Sequence, residues 1–149
     1  MEIIEVSKRP KLFPQAVQAF YNQWGTEDNY AFYEDCMRHS SADGLPSFYV
    51  ALEGVAILGT YALLRNDLNS RHDLCPWLAC LWVDPEHRGK EFGRKLLEHG
   101  LQEAEKKGYS NLYLNSDLDS YYEKYGWVHT GMLFGPFGNS NKIYEKKCR

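Results

Sequence analysis

The chain has 149 residues, of which 44% are hydrophobic, 25% charged and 15% aromatic. This length suits one domain with its own hydrophobic core, and the composition excludes an intrinsically disordered chain. The formal net charge of −3 argues against nucleic acid as the main partner, because neutralising phosphates requires a basic surface.

The sequence has no pattern that indicates export, a membrane segment or a metal site. The N-terminal segment MEIIEVSKRP lacks the apolar core of a secretory signal, and no run of about 18 apolar residues is present to span a bilayer. The four cysteines form no CxxC pair and no zinc-binding pattern with histidine; they are Cys36, Cys75, Cys80 and Cys148. We therefore expect a reduced, cytoplasmic protein without a bound metal.

The N-terminal third is predicted to contain one strand and two helices. Ile3–Val6 is a short apolar run and the first predicted strand. Apolar residues at helical spacing then run from Phe13 to Trp24 and end at Gly25, which predicts an amphipathic helix. A second helix is predicted from about Asn29 to Arg38.

The middle of the chain is predicted to form three strands. FYVALE (Phe48–Glu53) and VAILGTYALL (Val55–Leu64) indicate an antiparallel hairpin around Gly54. After a polar, turn-rich loop at 65–76, the segment WLACLWV (Trp77–Val83) is apolar at every position. This pattern is typical of a strand that is covered on both faces, so we place it at the centre of the sheet.

The C-terminal half is predicted to begin with a long helix, whose apolar stripe runs from Phe92 to Ala104. A strand at Asn111–Ser116, a short helix at Leu118–Tyr125 and two final strands joined by GPFGNSN follow. The order of elements predicts a single α/β (α+β) domain at 1–149. Its sheet is mixed and mostly antiparallel, with about six or seven strands flanked by about four helices.

The segment between the central strand and the long helix, Val83–Gly93, has the features of an anion site. The first turn of a helix leaves backbone N–H groups without partners, and glycines let a bulky anion approach them. Arg88, Lys90 and Arg94 add positive charge. Neither the Walker nor the Rossmann glycine spacing is present. Taken alone, the segment fits an ordinary helix start as well as a phosphate site.

Two motifs resemble the GNAT superfamily of N-acetyltransferases. RGKEFG, from Arg88 to Gly93, is similar to that family's acetyl-CoA signature (Q/R)xxGx(G/A), except that Glu91 stands where the family has its fourth-position glycine. LYLNSDLDSYYEKYGW (Leu112–Trp127) resembles the family's strand followed by an FYEKxGF-like helix. The similarity spans Pro76–Gly131, and two motifs at the right separation are more specific than either alone.

The resemblance implies direct transfer of an acetyl group from acetyl-CoA to a primary amine of a small molecule or a protein. It also implies that the strand before the signature separates from the next strand and holds the pantetheine arm, as in strand addition, while the loop amides hold the pyrophosphate. The cofactor-binding residues that it implies are Leu81, Trp82, Val83, Arg88, Gly89, Lys90, Glu91, Phe92, Gly93, Arg94, Asn115 (or its neighbour Ser116) and Tyr122.

Tyr122 matches the family's usual general acid, which protonates the leaving thiolate. Tyr121 and Tyr125 lie on the same short segment and stay open as alternatives. The general base is also open, among ordered water and the side chains Glu34, Asp35, His39, His72 and Asp73. Cys80 is interpreted as an inert core thiol, because its neighbours are apolar and no histidine–aspartate pattern accompanies it.

The acceptor amine is not identified by the sequence. The family sets it through the first helices and the loop between the last strands, here Phe13–His39 and Gly135–Asn141. Aromatic and acidic side chains in the first range suit a pocket for a cation, and a core helix face explains the aromatic ones as well; they are Trp24, Tyr30, Tyr33, Glu34 and Asp35.

Two other functions compete with catalysis. A non-catalytic acyl-CoA-binding or regulatory module could use the same fold, and Glu91 keeps this alternative open because an inward carboxylate would repel a pyrophosphate. A nucleic-acid or ribosome-associated protein would use the basic cluster of His87, Arg88, Lys90, Arg94 and Lys95, but the acidic net charge disfavours this function. A homodimer is the default expectation for the oligomeric state.

Overall fold

One mixed sheet organises the fold. The computed structural model describes residues 1–149. Its strands are β1 (Glu2–Glu5), β2 (Ser47–Glu53), β3 (Ala56–Leu64), β4 (Trp77–Val83), β5 (Asn111–Ser116), β6 (Val128–Phe134) and β7 (Ser140–Lys147). They are ordered β1-β2-β3-β4-β5-β7-β6. Every neighbouring pair is antiparallel except β4 and β5, which are parallel.

Three helices cover the two faces of the sheet: α1 (Phe13–Trp24), α2 (Tyr30–Arg38) and α3 (Phe92–Lys106). Successive residues of a strand point to opposite faces, so β2 contributes to two cores. Tyr49 belongs to the core on the side of α3, together with Leu97, while Val50 belongs to the core on the side of α1, together with Phe20. Burying each large apolar side chain of this kind stabilises the fold by about 1.5–3 kcal/mol.

β4 is the fourth of the seven strands, so its predicted central position is confirmed. The prediction that β4 is buried on both faces of the sheet is wrong for the second half of the strand. Trp77–Ala79 are buried, but Cys80–Val83 are partly exposed. The ladder between β4 and β5 contains one residue pair, Trp77 with Tyr113. Beyond it the two strands separate, and the apolar residues at the end of β4 form the wall of a cleft.

A bulge accompanies this separation. The register of β3 against β4 shifts between Thr60 and Ala62, and Cys80 takes a left-handed backbone conformation with φ of 55°. The hydroxyl of Thr60 donates a hydrogen bond of 2.9 Å to the carbonyl of Cys80. A bulge bends its strand and strengthens the local twist, which turns the end of β4 away from β5.

The fold class is confirmed, with three α-helices instead of about four. The predicted helix at Leu118–Tyr125 is wrong, because only Tyr122–Tyr125 form a short 3-10 turn. Ser120 has φ of 63°, and a non-glycine residue in that region cannot continue a right-handed helix. The other predicted elements agree with the structure to within about two residues at each end. None of the helices combines the length and apolar character that a membrane crossing needs.

Candidate active site

The cleft between β4 and β5 contains a cavity of about 160 Å³. The side chains and backbone that line it are Trp24, Asp67, Leu78, Ala79, Cys80, Leu81, Leu114, Asn115 and Tyr122. A larger depression, of about 540 Å³, lies near Tyr109 and Cys148 at the opposite end of β5, away from both sequence motifs. The cleft is therefore the candidate site.

The end of β4 offers backbone groups to the cleft. The amide of Asp84 donates to the carbonyl of Leu58 at 2.7 Å. Because hydrogen-bonded and non-hydrogen-bonded pairs alternate along an antiparallel ladder, the N–H and C=O of Val83 point away from β3, towards the cleft. The Nε of Arg88 already donates to the Val83 carbonyl at 3.0 Å. Trp82 does not line the cavity; it lines a separate groove beside α1.

The loop before α3 presents a run of unpaired amides. Two of its residues have positive φ, Gly89 at 80° and Glu91 at 63°. The amides of Gly89, Lys90 and Glu91 make no hydrogen bond within the protein, and those of Phe92–Arg94 belong to the first helical turn, where N–H groups lack intrahelical acceptors. A Cβ at Gly89 would meet open space, so the backbone there is open to a ligand.

Glu91 turns its side chain outward. It is 60% exposed and forms a 2.8 Å ion pair with Arg94, which also approaches Glu98 at 3.5 Å. The Glu91 carboxylate is thus directed to solvent and offset by a cation. Lys90 is exposed and unpaired at the same loop, so a positive charge stays available to an anion bound there.

Tyr122 is the only one of the three neighbouring tyrosines that lines the cavity. It is 9% exposed and packs against Trp127 and Tyr144. Burial raises the pKa of Tyr122 to about 12, so its hydroxyl keeps its proton at neutral pH. Tyr121 instead places its hydroxyl beside Gly93, and Tyr125 packs on Tyr121 next to α3.

Asp67 is a site residue that the sequence did not reveal. It lies in the loop between β3 and β4, which is fixed to β6 by a 2.9 Å bond from the Ser70 amide to the Phe134 carbonyl. Asn115 Nδ2 donates to Asp67 Oδ2 at 3.2 Å. Burial raises the pKa of Asp67 to about 6, and the bond from Asn115 opposes that rise. The asparagines on either side of Asp67 were the available signal, because such residues stabilise defined turns.

The five candidates for the general base lie outside the cavity. Asp35 on α2 and His39, which directly follows α2, lie 3.4 Å apart and have side chains that are 77% and 71% exposed. Glu34 lies 3.8 Å from Arg38, and Asp73 pairs with Arg71 at 2.9 Å. His72 is exposed. In this arrangement they are surface groups.

Cys80 lines the cavity but stays protonated, since burial raises its pKa to about 12. A thiol rather than a thiolate is a poor nucleophile, which agrees with its interpretation as inert. The structure holds no group of three or more His, Cys, Asp or Glu side chains arranged to bind a metal ion.

Comparisons with known proteins point to one family. The sequence profile of the Acetyltransferase (GNAT) family matches residues 9–127, and no curated protein sequence matches the chain.

Among solved structures, three similar ones cover the whole chain at 18% identity. An aminoglycoside 6′-N-acetyltransferase complexed with coenzyme A has a TM-score of 0.74 over 98% of its own chain, as does the aminoglycoside 6′-N-acetyltransferase from Enterococcus faecium. An N-acetyltransferase from Staphylococcus aureus Mu50 has a TM-score of 0.68 over 100% of its chain. These likenesses show the shared fold, and the profile match shows that the chain belongs to the GNAT family of acetyltransferases.

Proposed function

We propose that the protein transfers an acetyl group from acetyl-CoA to a primary amine, by direct attack in a ternary complex. The observation that carries this proposal is the cleft between β4 and β5. Leu81 and Tyr122 line it, unpaired amides of the loop before α3 follow the strand that forms its wall, and the N–H of Val83, at the end of that strand, points away from β3.

The residues present fit acetyl-CoA. The amides of Gly89–Arg94 and the charge of Lys90 suit a pyrophosphate, and the backbone of Leu81 and Val83 suits the amides of a pantetheine arm, as in strand addition. For the arm to pair with the Val83 carbonyl, Arg88 has to release it. The outward Glu91 leaves the loop amides accessible, which favours binding over repulsion.

The thioester supplies the activated acyl group, and the protein's residues arrange and assist the transfer. The Val83 N–H points away from β3 at the end of β4 and suits the oxyanion that develops when the amine attacks. Tyr122 donates its proton to the sulfur as the C–S bond breaks. Holding both reactants in line contributes up to about 7–11 kcal/mol in favourable cases.

The acceptor that fits best is a small cationic amine. Two of the similar structures are aminoglycoside acetyltransferases, so an aminoglycoside belongs in the first set of acceptors to be assayed. An aromatic wall at Trp24 and a carboxylate at Asp67 favour any aliphatic ammonium compound of suitable size.

Calorimetric titration with acetyl-CoA, followed by an assay of CoA release with aminoglycosides, polyamines and amino-terminal peptides, tests the proposal. We expect binding of acetyl-CoA and CoA release that depends on one class of amine. Binding without CoA release for any acceptor would instead support a non-catalytic acyl-CoA-binding module.

A further inference from the structure

Asp67 is a carboxylate that has no cationic partner within the protein. Glu5, the one fully buried acidic residue, has Lys8 and Lys107 at 3.6 and 3.9 Å. No Lys, Arg or His nitrogen lies within 4.0 Å of Asp67. A carboxylate in an enclosed site normally acquires a counter-ion or takes up a proton.

The groups that face Asp67 come from several elements, and none of them is cationic. Tyr33 on α2 and Cys80 on β4 are close enough for the Asp67 charge to raise their pKa values. Asn115 on β5 is a neutral donor, and Tyr122 shares the cavity. The chain itself therefore supplies no counter-ion to Asp67 when its carboxyl group is ionised.

One oxygen of Asp67 is held and the other is free. Asn141 Nδ2 donates to Asn115 Oδ1 at 3.0 Å, and Asn115 Nδ2 donates in turn to Asp67 Oδ2 at 3.2 Å. This chain of amides fixes the carboxylate from the side of β5 and β7. Oδ1 makes no hydrogen bond within the protein and is not among the buried unsatisfied atoms, so it is accessible to a ligand.

We propose that Asp67 binds the ammonium group of the acceptor through Oδ1 and then acts as its general base. This proposal rests on the acetyl transfer proposed above, because the thioester has to reach the same cavity. It also names the acceptor class, which is an aliphatic primary amine that is cationic in solution. Aromatic amines and alcohols, which carry no charge, lack the attraction to Asp67.

The proton balance follows from this placement. The ammonium loses one proton to Asp67, which releases it to solvent, and the neutral nitrogen forms the C–N bond. The C–S bond breaks as Tyr122 protonates the sulfur, and the second proton of the nitrogen restores the tyrosine. Substrates and products differ by one proton released per acetyl group transferred, and no oxidant or metal is needed.

The first test uses the wild-type protein and does not depend on turnover. Carbon-detected NMR follows the Asp67 carboxyl during a pH titration, with n-butylammonium as the probe and 1-butanol as its neutral counterpart. We expect n-butylammonium to lower the Asp67 pKa from about 6 towards its ordinary value, and 1-butanol to leave it unchanged. An Asp67 pKa that does not respond to n-butylammonium would overturn the proposal.

The second test is the pH profile of kcat/KM for the best amine acceptor. In the wild type, we expect activity to fall below about pH 6. Asp67→Asn should lose this acidic limb and about a hundredfold or more of kcat/KM, with acetyl-CoA affinity retained. Asp73→Asn, on the same loop but paired with Arg71 outside the cavity, is the matched control and should keep the wild-type profile.

The outcomes separate the two proposals. If Asp67→Asn keeps the acidic limb, Asp67 is not the base even though acetyl transfer stands. If the wild type releases no CoA with any amine, the proposed function fails, whereas the response of the Asp67 carboxyl to n-butylammonium still shows whether the cation binds there.

Discussion

At the scale of single residues, Asp67 and Tyr122 are suited to opposite tasks. Both pKa values are raised by burial, to about 6 and about 12. Between these values the carboxylate is ionised and the phenol is protonated, which is the state that a base and an acid need before the reaction. Two titratable groups in one cavity with pKa values this far apart are a common arrangement for acid–base catalysis.

Tyr122→Phe tests the acid. The variant removes one hydroxyl from a ring that is already packed, so we expect the fold and the affinity for acetyl-CoA to change little. Turnover should fall about tenfold or more, because general acid catalysis typically contributes 10²–10⁴-fold. Steady-state kinetics with calorimetric titration of acetyl-CoA measures both. Tyr121→Phe is the control, and a larger loss in that variant would assign the role to Tyr121.

Asn115→Leu tests how the base is positioned. Asn115 donates to the Asp67 carboxylate, and this bond favours the charged form. Its removal should raise the Asp67 pKa and therefore move the acidic limb of kcat/KM to higher pH. A purely structural role for Asn115 would lower the rate at every pH without moving the limb. The contact of Asn115 with the cofactor that the resemblance to GNAT enzymes implies stays a prediction: Asn115 lines the cavity, where its side chain bonds Asp67 and Asn141.

At the scale of elements, the loop before α3 is strained where the family has glycine. Glu91 has φ of 63°, a conformation that costs a non-glycine residue about 1–2 kcal/mol. Glu91→Gly should therefore stabilise the protein by about 1 kcal/mol and bind acetyl-CoA as well or better. Urea denaturation and calorimetric titration measure the two effects.

Glu91→Gln separates backbone strain from charge in this prediction. Gln keeps the side chain and its strain but removes the carboxylate, so it should leave stability nearly unchanged and show the effect of charge alone on binding. Clearly weaker binding of acetyl-CoA by Glu91→Gly would mean that the loop amides do not hold the pyrophosphate.

Periodicity explains why the elements were predictable and the cleft was not. The stripe from Phe92 to Ala104 and the apolar run of β2, bounded by Gly54, are local patterns, and local patterns are visible in the sequence. The apolar run of β4 is ambiguous, because a covered strand and the wall of an apolar cleft favour the same residue types. Asp67 could not be placed either, since its position depends on the contact of Ser70 with β6, some sixty residues away along the chain.

At the scale of the whole molecule, the topology places the site. β4 and β5 are the one parallel pair, joined through α3, and a parallel pair needs such a crossover. The cavity lies where their carboxyl ends separate, the position at which sheets of this kind bind ligands. Segments far apart in sequence meet there: the end of α1 at Trp24, the loop with Asp67, and the turn with Tyr122.

This convergence links the site to the stability of the fold. In an unfolded chain an aspartate titrates near pH 3.9, whereas Asp67 in the folded protein titrates at about 6. Its folded pKa is raised, so the contribution of Asp67 to stability is fully present below about pH 4 and is lost as the pH rises through about 6. Above that, the ionised, unpaired carboxylate destabilises the fold by on the order of 2 kcal/mol.

Asp67→Asn should therefore be more stable than the wild type at about pH 8 and close to it at about pH 4. Urea denaturation at the two pH values measures the difference, and other titrating groups cancel because both proteins contain them. Asp73→Asn should not gain stability at about pH 8, since its ion pair with Arg71 lowers the pKa of Asp73. If Asp67→Asn gained the same stability at both pH values, the gain would come from packing and not from the charge of Asp67. A gain confined to high pH, together with the loss of activity, would identify Asp67 as a group that destabilises the free protein because its counter-ion is the substrate.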